Sequence, residues 1–272
     1  DNLYAAALTF KAYNAQKTTD MWGSIPYSEA FKLEKGITYP KYDSQESVYN
    51  AILAELKIAA DLFNVTGKPI GAGDFLLNGN IAKWQKFCNS LRLRVAVRMS
   101  SADAVKATAV ILEILGNPSK YPIMTSNTDN VYWYFPGTAP DQEIWFQSMG
   151  TVTGGVKLSG WRMQQPIIDA LQNNNDPRLS VYADKNSWGK YSGHRFGPLE
   201  LSDTLNNNFN RSHIGDWFMN DPKGFVPYMN SAEVYFCLAE IYQRGLATGV
   251  AKTAYETGIT RSCEESGKIN AA

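Results

Sequence analysis

Apolar residues at Val48, Ile52, Leu56, Ala59 and Phe63 recur at steps of three and four, the spacing of one helix face. Ile81, Trp84, Cys88, Leu91 and Val95 repeat the step. A face of that period is buried by another helix, so the pattern predicts helices over 44–64, 80–100, 103–115, 231–244 and 250–266, packed as antiparallel pairs with little sheet. Asp43 or Ser44 caps the first, with Glu46 three after Asp43 as in a capping box, and Gly67 and Pro69 end it. Gly116-Asn117-Pro118 halts the third. Helix pairs with short connections predict a tetratricopeptide-like stack, although the full repeat consensus is absent.

Between about 121 and 227 the periodicity fades. Aromatics cluster there (Tyr132, Trp133, Tyr134, Phe135, Trp145, Phe146) among Gly, Pro, Ser and Asn. A short strand at Val131–Phe135 and a helix near Arg162–Asn173 are the regular elements expected. The fold class is therefore mostly α: a tetratricopeptide-like helical-pair scaffold with long irregular loop excursions. One domain over 1–272 is expected, its scaffold at about 1–120 and 228–272 and its ligand side at about 121–227.

Lys+Arg and Asp+Glu balance at 26 each, which argues against a nucleic-acid surface or a polybasic membrane patch. No apolar run approaches the ~20 residues of a spanning helix. Cys88, Cys237 and Cys263 lack metal-like spacing and read as buried free thiols, one disulfide staying open in an oxidising compartment. His194 and His213 read as surface imidazoles, and Gly71-Ala72-Gly73-Asp74 as a loop without the lysine of a phosphate site. Asp141 and Glu143 could pair for glycoside hydrolysis or contact Ca²⁺, but no EF-hand-like spacing occurs, and solvated loop acids are the preferred reading. No cofactor, catalytic group or resident metal is expected, calcium being the open alternative.

Arg92, Arg94 and Arg98 sit in an apolar helical run, as do Glu233 and Glu240. A buried charge is costly unless paired. The arginines are therefore expected to meet the glutamates between stacked helices, at least one pair within salt-bridge distance and shielded from water.

Thr19-Asp20-Met21-Trp22-Gly23-Ser24-Ile25-Pro26-Tyr27 ends an apolar helical segment with glycine and proline three residues apart. Trp22, Pro26 and Tyr27 are expected to form a structural turn with both rings buried. This turn, the run from Lys83 to Ser100, and the segments Pro40–Tyr49, Asp176-Pro177-Arg178-Leu179 and Ala232-Glu233-Val234 with Ala239-Glu240 resemble the SusD/RagB-like family in order across nearly the whole chain. The resemblance implies a non-enzymatic nutrient-binding lipoprotein on the outer face of the outer membrane. Its partner would be a SusC-like TonB-dependent transporter, to which it hands oligosaccharide. Family members are longer at both ends, with a lipid-attachment cysteine upstream, so the sequence is expected to be an interior portion of such a chain.

Aromatic residues make up 12% of the chain, more than a helical core requires. Flat rings stack on the C–H faces of sugars while Asn, Asp and Arg read the hydroxyls. Trp145, Trp161, Trp188 and Trp217 fall in the irregular regions and are the ligand-binding candidates, from 130–161 and 186–218. The alternatives are an oligopeptide-binding member of the same family, a structural subunit of a surface assembly, and a glycan-degrading enzyme, the last disfavoured by the absence of a catalytic constellation.

Overall fold

The structure is a computed structural model that describes residues 1–149, 152–153, 156–157, 161–195 and 210–267. Helices dominate, and the chain divides into two compact units: residues 1–131 with 229–258, and residues 132–228 with 259–272.

The first unit is the helical scaffold. Its helices are α1 (Asn2–Trp22), α2 (Gln45–Leu62), α3 (Ile81–Met99), α4 (Ala104–Gly116) and α9 (Ser231–Gln243), with the first part of α10 (Ala251–Glu265). Each predicted span is met to within two residues, because side chains cap the starts. Ser44, Asn80, Asp103 and Asn230 accept the backbone N–H of Ser47, Lys83, Lys106 and Glu233. The predicted capping box does not form. Asp43 instead accepts the Tyr27 and Ser28 N–H groups at 3.2 and 2.6 Å, tying β1 (Ile25–Pro26) to its antiparallel partner β2 (Tyr42–Asp43).

Helix α3 is the hub: α1, α2, α4 and α9 all pack on it. Phe87, Cys88, Leu91, Leu93, Val95 and Ala96 are fully buried there, so the apolar run is inward on nearly every side. Trp84 joins them, its Nε1 donating to Asp74 at 2.6 Å. The same carboxylate accepts from the Leu76, Leu77 and Gly79 backbones, which organises the 71–80 loop about one side chain.

One arginine meets an expected glutamate and the other two find different partners. Arg94 meets Glu233 at 3.2 Å and donates twice to Gln16, with its side chain only 12% exposed. Arg92 is buried but pairs with Glu113 of α4 at 2.6 Å, its guanidinium over the Tyr121 ring. Arg98 is half exposed and pairs with Asp20 at 2.9 Å, while Glu240 faces solvent and pairs with Arg244 one turn on. Helical rotation explains the split: positions 92, 94 and 98 point to different neighbours, so one partner helix cannot serve all three. The three thiols are free, and burial pushes those of Cys88 and Cys237 up to about 12.

The second unit is irregular. β3 (Val131–Tyr134) pairs with β6 (Phe225–Met229), and β4 (Val152–Thr153) forms an antiparallel two-residue ladder with β5 (Val156–Lys157). Short helices α5 (Ile144–Met149), α6 (Gln165–Asn173), α7 (Leu179–Tyr182) and α8 (Asp216–Met219) lie between. Asp176 and Arg178 of the Asp-Pro-Arg segment form a bidentate pair, and Arg178 also donates to Ser262 at 2.8 Å.

Candidate functional site

Glu143 starts α5. Its carboxylate, 4% exposed, accepts the Phe146 backbone N–H at 2.7 Å, while its own N–H bonds to Pro222. This carboxylate therefore fixes the first turn of a helix rather than facing solvent as a loop acid. The helix presents Trp145, whose indole is 40% exposed.

Trp161 comes from a different piece of backbone. The residues after it bridge two neighbours: the Met163 N–H donates to Ser212 O, His194 N–H to Met163 O, and Gln165 N–H to His194 O. Close approach makes glycine necessary at two points. A Cβ at Gly193 would lie 2.3 Å from Gln165 N, and one at Gly215 would lie 1.9 Å from Val181 O. Arg162, beside Trp161, donates to the Trp161 carbonyl and lies 3.1 Å from His213 Nδ1. Burial lowers the Arg162 pKa from its ordinary value.

The Trp145 and Trp161 rings meet edge-on, 5.9 Å between centroids and 80° between planes. Trp161 is 55% exposed, so each indole supports the other and still offers a face to solvent. Trp188 is also exposed, at the tip of a turn. Trp217 differs: it is half-buried and packs against Phe225, which stacks on Tyr132 at 4.6 Å. Tyr134, not among the four candidate tryptophans, is exposed at the edge of that cluster, on the same face of β3 as the buried Tyr132. Residues 150–151, 154–155, 158–160 and 196–209 of the expected ligand regions lie outside the described residues.

Both histidines are half-buried rather than at the open surface, and the His213 ring lies against Arg162. Among the described residues no group of three or more His, Cys, Asp or Glu is arranged to hold a metal ion, and Glu143 is engaged as a helix cap.

In the first unit the turn at Trp22 departs from expectation. Tyr27 is buried as the pattern implies; its hydroxyl donates to Glu55 at 2.6 Å, and burial, reinforced by Glu55, pushes its pKa above the usual phenol range. Trp22, however, is 68% exposed. The inward face of α1 runs through Thr9, Ala12, Gln16 and Thr19 and would next present residue 23, where the helix ends on Gly23 at φ 73°. Trp22 therefore lies beside that face. With Phe10, Tyr27, Phe31 and Tyr42 it lines an open, mostly apolar groove of about 930 Å³.

The described residues thus hold a helical unit and an irregular unit with exposed, backbone-fixed indoles. The chain matches the family model of SusD-like proteins, described as starch-binding and associating with the outer membrane, over residues 1–271. It belongs to the SusD-like family, whose members are nutrient-binding outer-membrane proteins. Among solved structures it is similar to a SusD homologue from Bacteroides fragilis NCTC 9343, with 28% identity, a TM-score of 0.81, and 97% of this chain and 58% of that chain covered. A SusD homologue from Bacteroides uniformis ATCC 8492 gives 29% identity and a TM-score of 0.78, over 98% of this chain and 54% of that one. A chitin-binding SusD homologue from Flavobacterium johnsoniae gives 26% and 0.80, over 100% and 54%. The chain thus spans between half and two thirds of the length of these relatives. Comparison with curated proteins finds no match.

Proposed function

We propose that this chain captures oligosaccharide for uptake, with Trp145 and Trp161 as the central contacts, and performs no chemistry on it. The observation that carries this reading is the exposed, perpendicular indole pair, held from below by the Glu143 cap and the bridged backbone at 162–165. Pyranose rings present apolar C–H faces that suit such indoles. Loops fixed on a rigid scaffold are where binding residues concentrate. By family membership the protein would act at the outer face of the outer membrane and deliver its ligand to a SusC-like TonB-dependent transporter. By the same resemblance attachment would rest on a lipid anchor upstream; among the described residues no helix is long and apolar enough to cross a membrane.

One relative is a chitin binder, which makes chitin oligosaccharides the first probe. A glycan array followed by calorimetry on Trp145→Ala and Trp161→Ala tests the reading. Each truncation should weaken binding by about 2 kcal/mol, roughly 30-fold, as for a hot-spot aromatic. Unchanged affinity in both variants would refute the site. No binding of any glycan by the parent would refute the carbohydrate reading and direct the search to oligopeptides.

A further inference from the structure

Trp188 is displayed in a way its surroundings do not explain. It occupies the tip of the turn Asn186-Ser187-Trp188-Gly189, where glycine, asparagine, aspartate and serine are the usual residues. Its indole is 56% exposed, and no aromatic ring stacks on it among the described residues. Trp145 and Trp161 support each other and Trp217 rests on Phe225, so among the described residues Trp188 differs from the other three loop tryptophans in having no ring contact. A large apolar side chain more than half exposed adds little to folding stability.

The backbone beneath it is held unusually firmly, and by one residue. Asn186 is 8% exposed. Its Oδ1 accepts the N–H groups of Trp188 and Lys190, both at 3.0 Å. Its Nδ2 donates to the Asn210 carbonyl at 2.9 Å, tying the turn to a segment more than twenty residues away. Its main chain closes the loop twice: its N–H donates to Lys190 O and its carbonyl accepts from Gly189 N–H. Gly189 completes the turn at φ 70° with open space around it.

We infer that Asn186 is a positioning residue for Trp188, and that the turn is a prefixed arm presenting one indole face to a sugar ring. The inference rests on the oligosaccharide-binding reading and adds a contact separate from the Trp145–Trp161 pair. Fixing the arm before the ligand arrives removes the ordering cost that a loop tryptophan otherwise incurs on binding.

The test uses the whole chain labelled with 5-fluorotryptophan and a chitin hexasaccharide as probe. The Trp188 ¹⁹F resonance is assigned by its loss in Trp188→Phe. Asn186→Ala should shift and broaden that line alone and leave the thermal midpoint of the protein within a few degrees. Asn186→Asp, which keeps an acceptor for both N–H groups but sets an oxygen against the Asn210 carbonyl, should restore it in part. Trp188→Ala and Asn186→Ala should each weaken the hexasaccharide about ten-fold, and the double variant should be no weaker than Trp188→Ala alone. An unmoved Trp188 line in Asn186→Ala overturns the positioning role whatever binds. Full affinity in Trp188→Ala, with Trp161→Ala impaired, overturns the contact while leaving the binding reading intact. A parent blind to the hexasaccharide and to every arrayed glycan overturns both.

Discussion

Glu113→Ala should be the most damaging change to a partly exposed side chain in the scaffold. The Arg92 side chain is 2% exposed, and its Nη2 donates to Glu113 at 2.6 Å. Its Nε and Nη1 have no hydrogen-bond partner among the described residues. The Tyr121 ring, 5.2 Å from the guanidinium, is its other favourable contact. Deleting Glu113 therefore strands a charge in the core. Breaking a buried pair in this way costs about 3–5 kcal/mol, and Glu113, a third exposed, places the expected value near the lower end, ~3 kcal/mol. For a protein of this size that is a fall of about 6–12 °C in Tm. Arg92→Met should cost far less, because it leaves Glu113 near water and 3.4 Å from Lys57. The double variant should be more stable than Glu113→Ala alone. Urea unfolding followed by circular dichroism reads all three. A Glu113→Ala loss below about 1 kcal/mol, or an Arg92→Met loss exceeding it, would refute the reasoning.

Three further expectations concern stability. Burial alone would raise the Asp61 carboxyl, but hydrogen bonds from Lys57, Lys120 and Tyr121 outweigh it and hold the pKa at about 2. Its contribution is whole above the unfolded value of 3.8 and is lost as pH falls through about 2, so the Tm deficit of Asp61→Asn should be largest near neutrality, shrink steadily below pH 4 and vanish only below pH 2. Burial raises Glu265 to about 7, so its destabilising charge develops as pH climbs from 4.5 through 7; Glu265→Gln should raise Tm at pH 8 and leave it unchanged at pH 4. Trp22→Ala should shift stability by no more than about 0.5 kcal/mol, against about 3–5 for the buried Trp84→Ala; equal losses in denaturant titrations would contradict the placement of Trp22 in solvent.

The scaffold was legible because its signal is local. A 3.6-residue apolar period with Ser44, Asn80, Asp103 and Asn230 at the starts contains the helix and its boundary in one stretch. Partner choice was not legible in the same way. Nothing near Arg92 in sequence marks Glu113 as its ion pair, because the match depends on how α3 and α4 are rotated against each other. The Trp22 error has a similar origin: burial at a helix end depends on where the next element turns, and Gly23 sets that. At the candidate site, the tryptophans stood out by residue type, yet their roles separate only through context. Trp217 rests against Phe225, Trp145 and Trp161 prop one another, and Trp188 stands on an asparagine that composition could not single out. Glu143 shows the converse, an acid expected to be solvated in a loop that is buried and serves as a helix cap.

The most direct test of the central claim is a crystal structure of the protein with a chitin hexasaccharide bound. A sugar ring should be seated against the Trp145–Trp161 corner. A saccharide lodged instead in the groove lined by Trp22, Phe31 and Tyr42, with the two indoles bare, would contradict it.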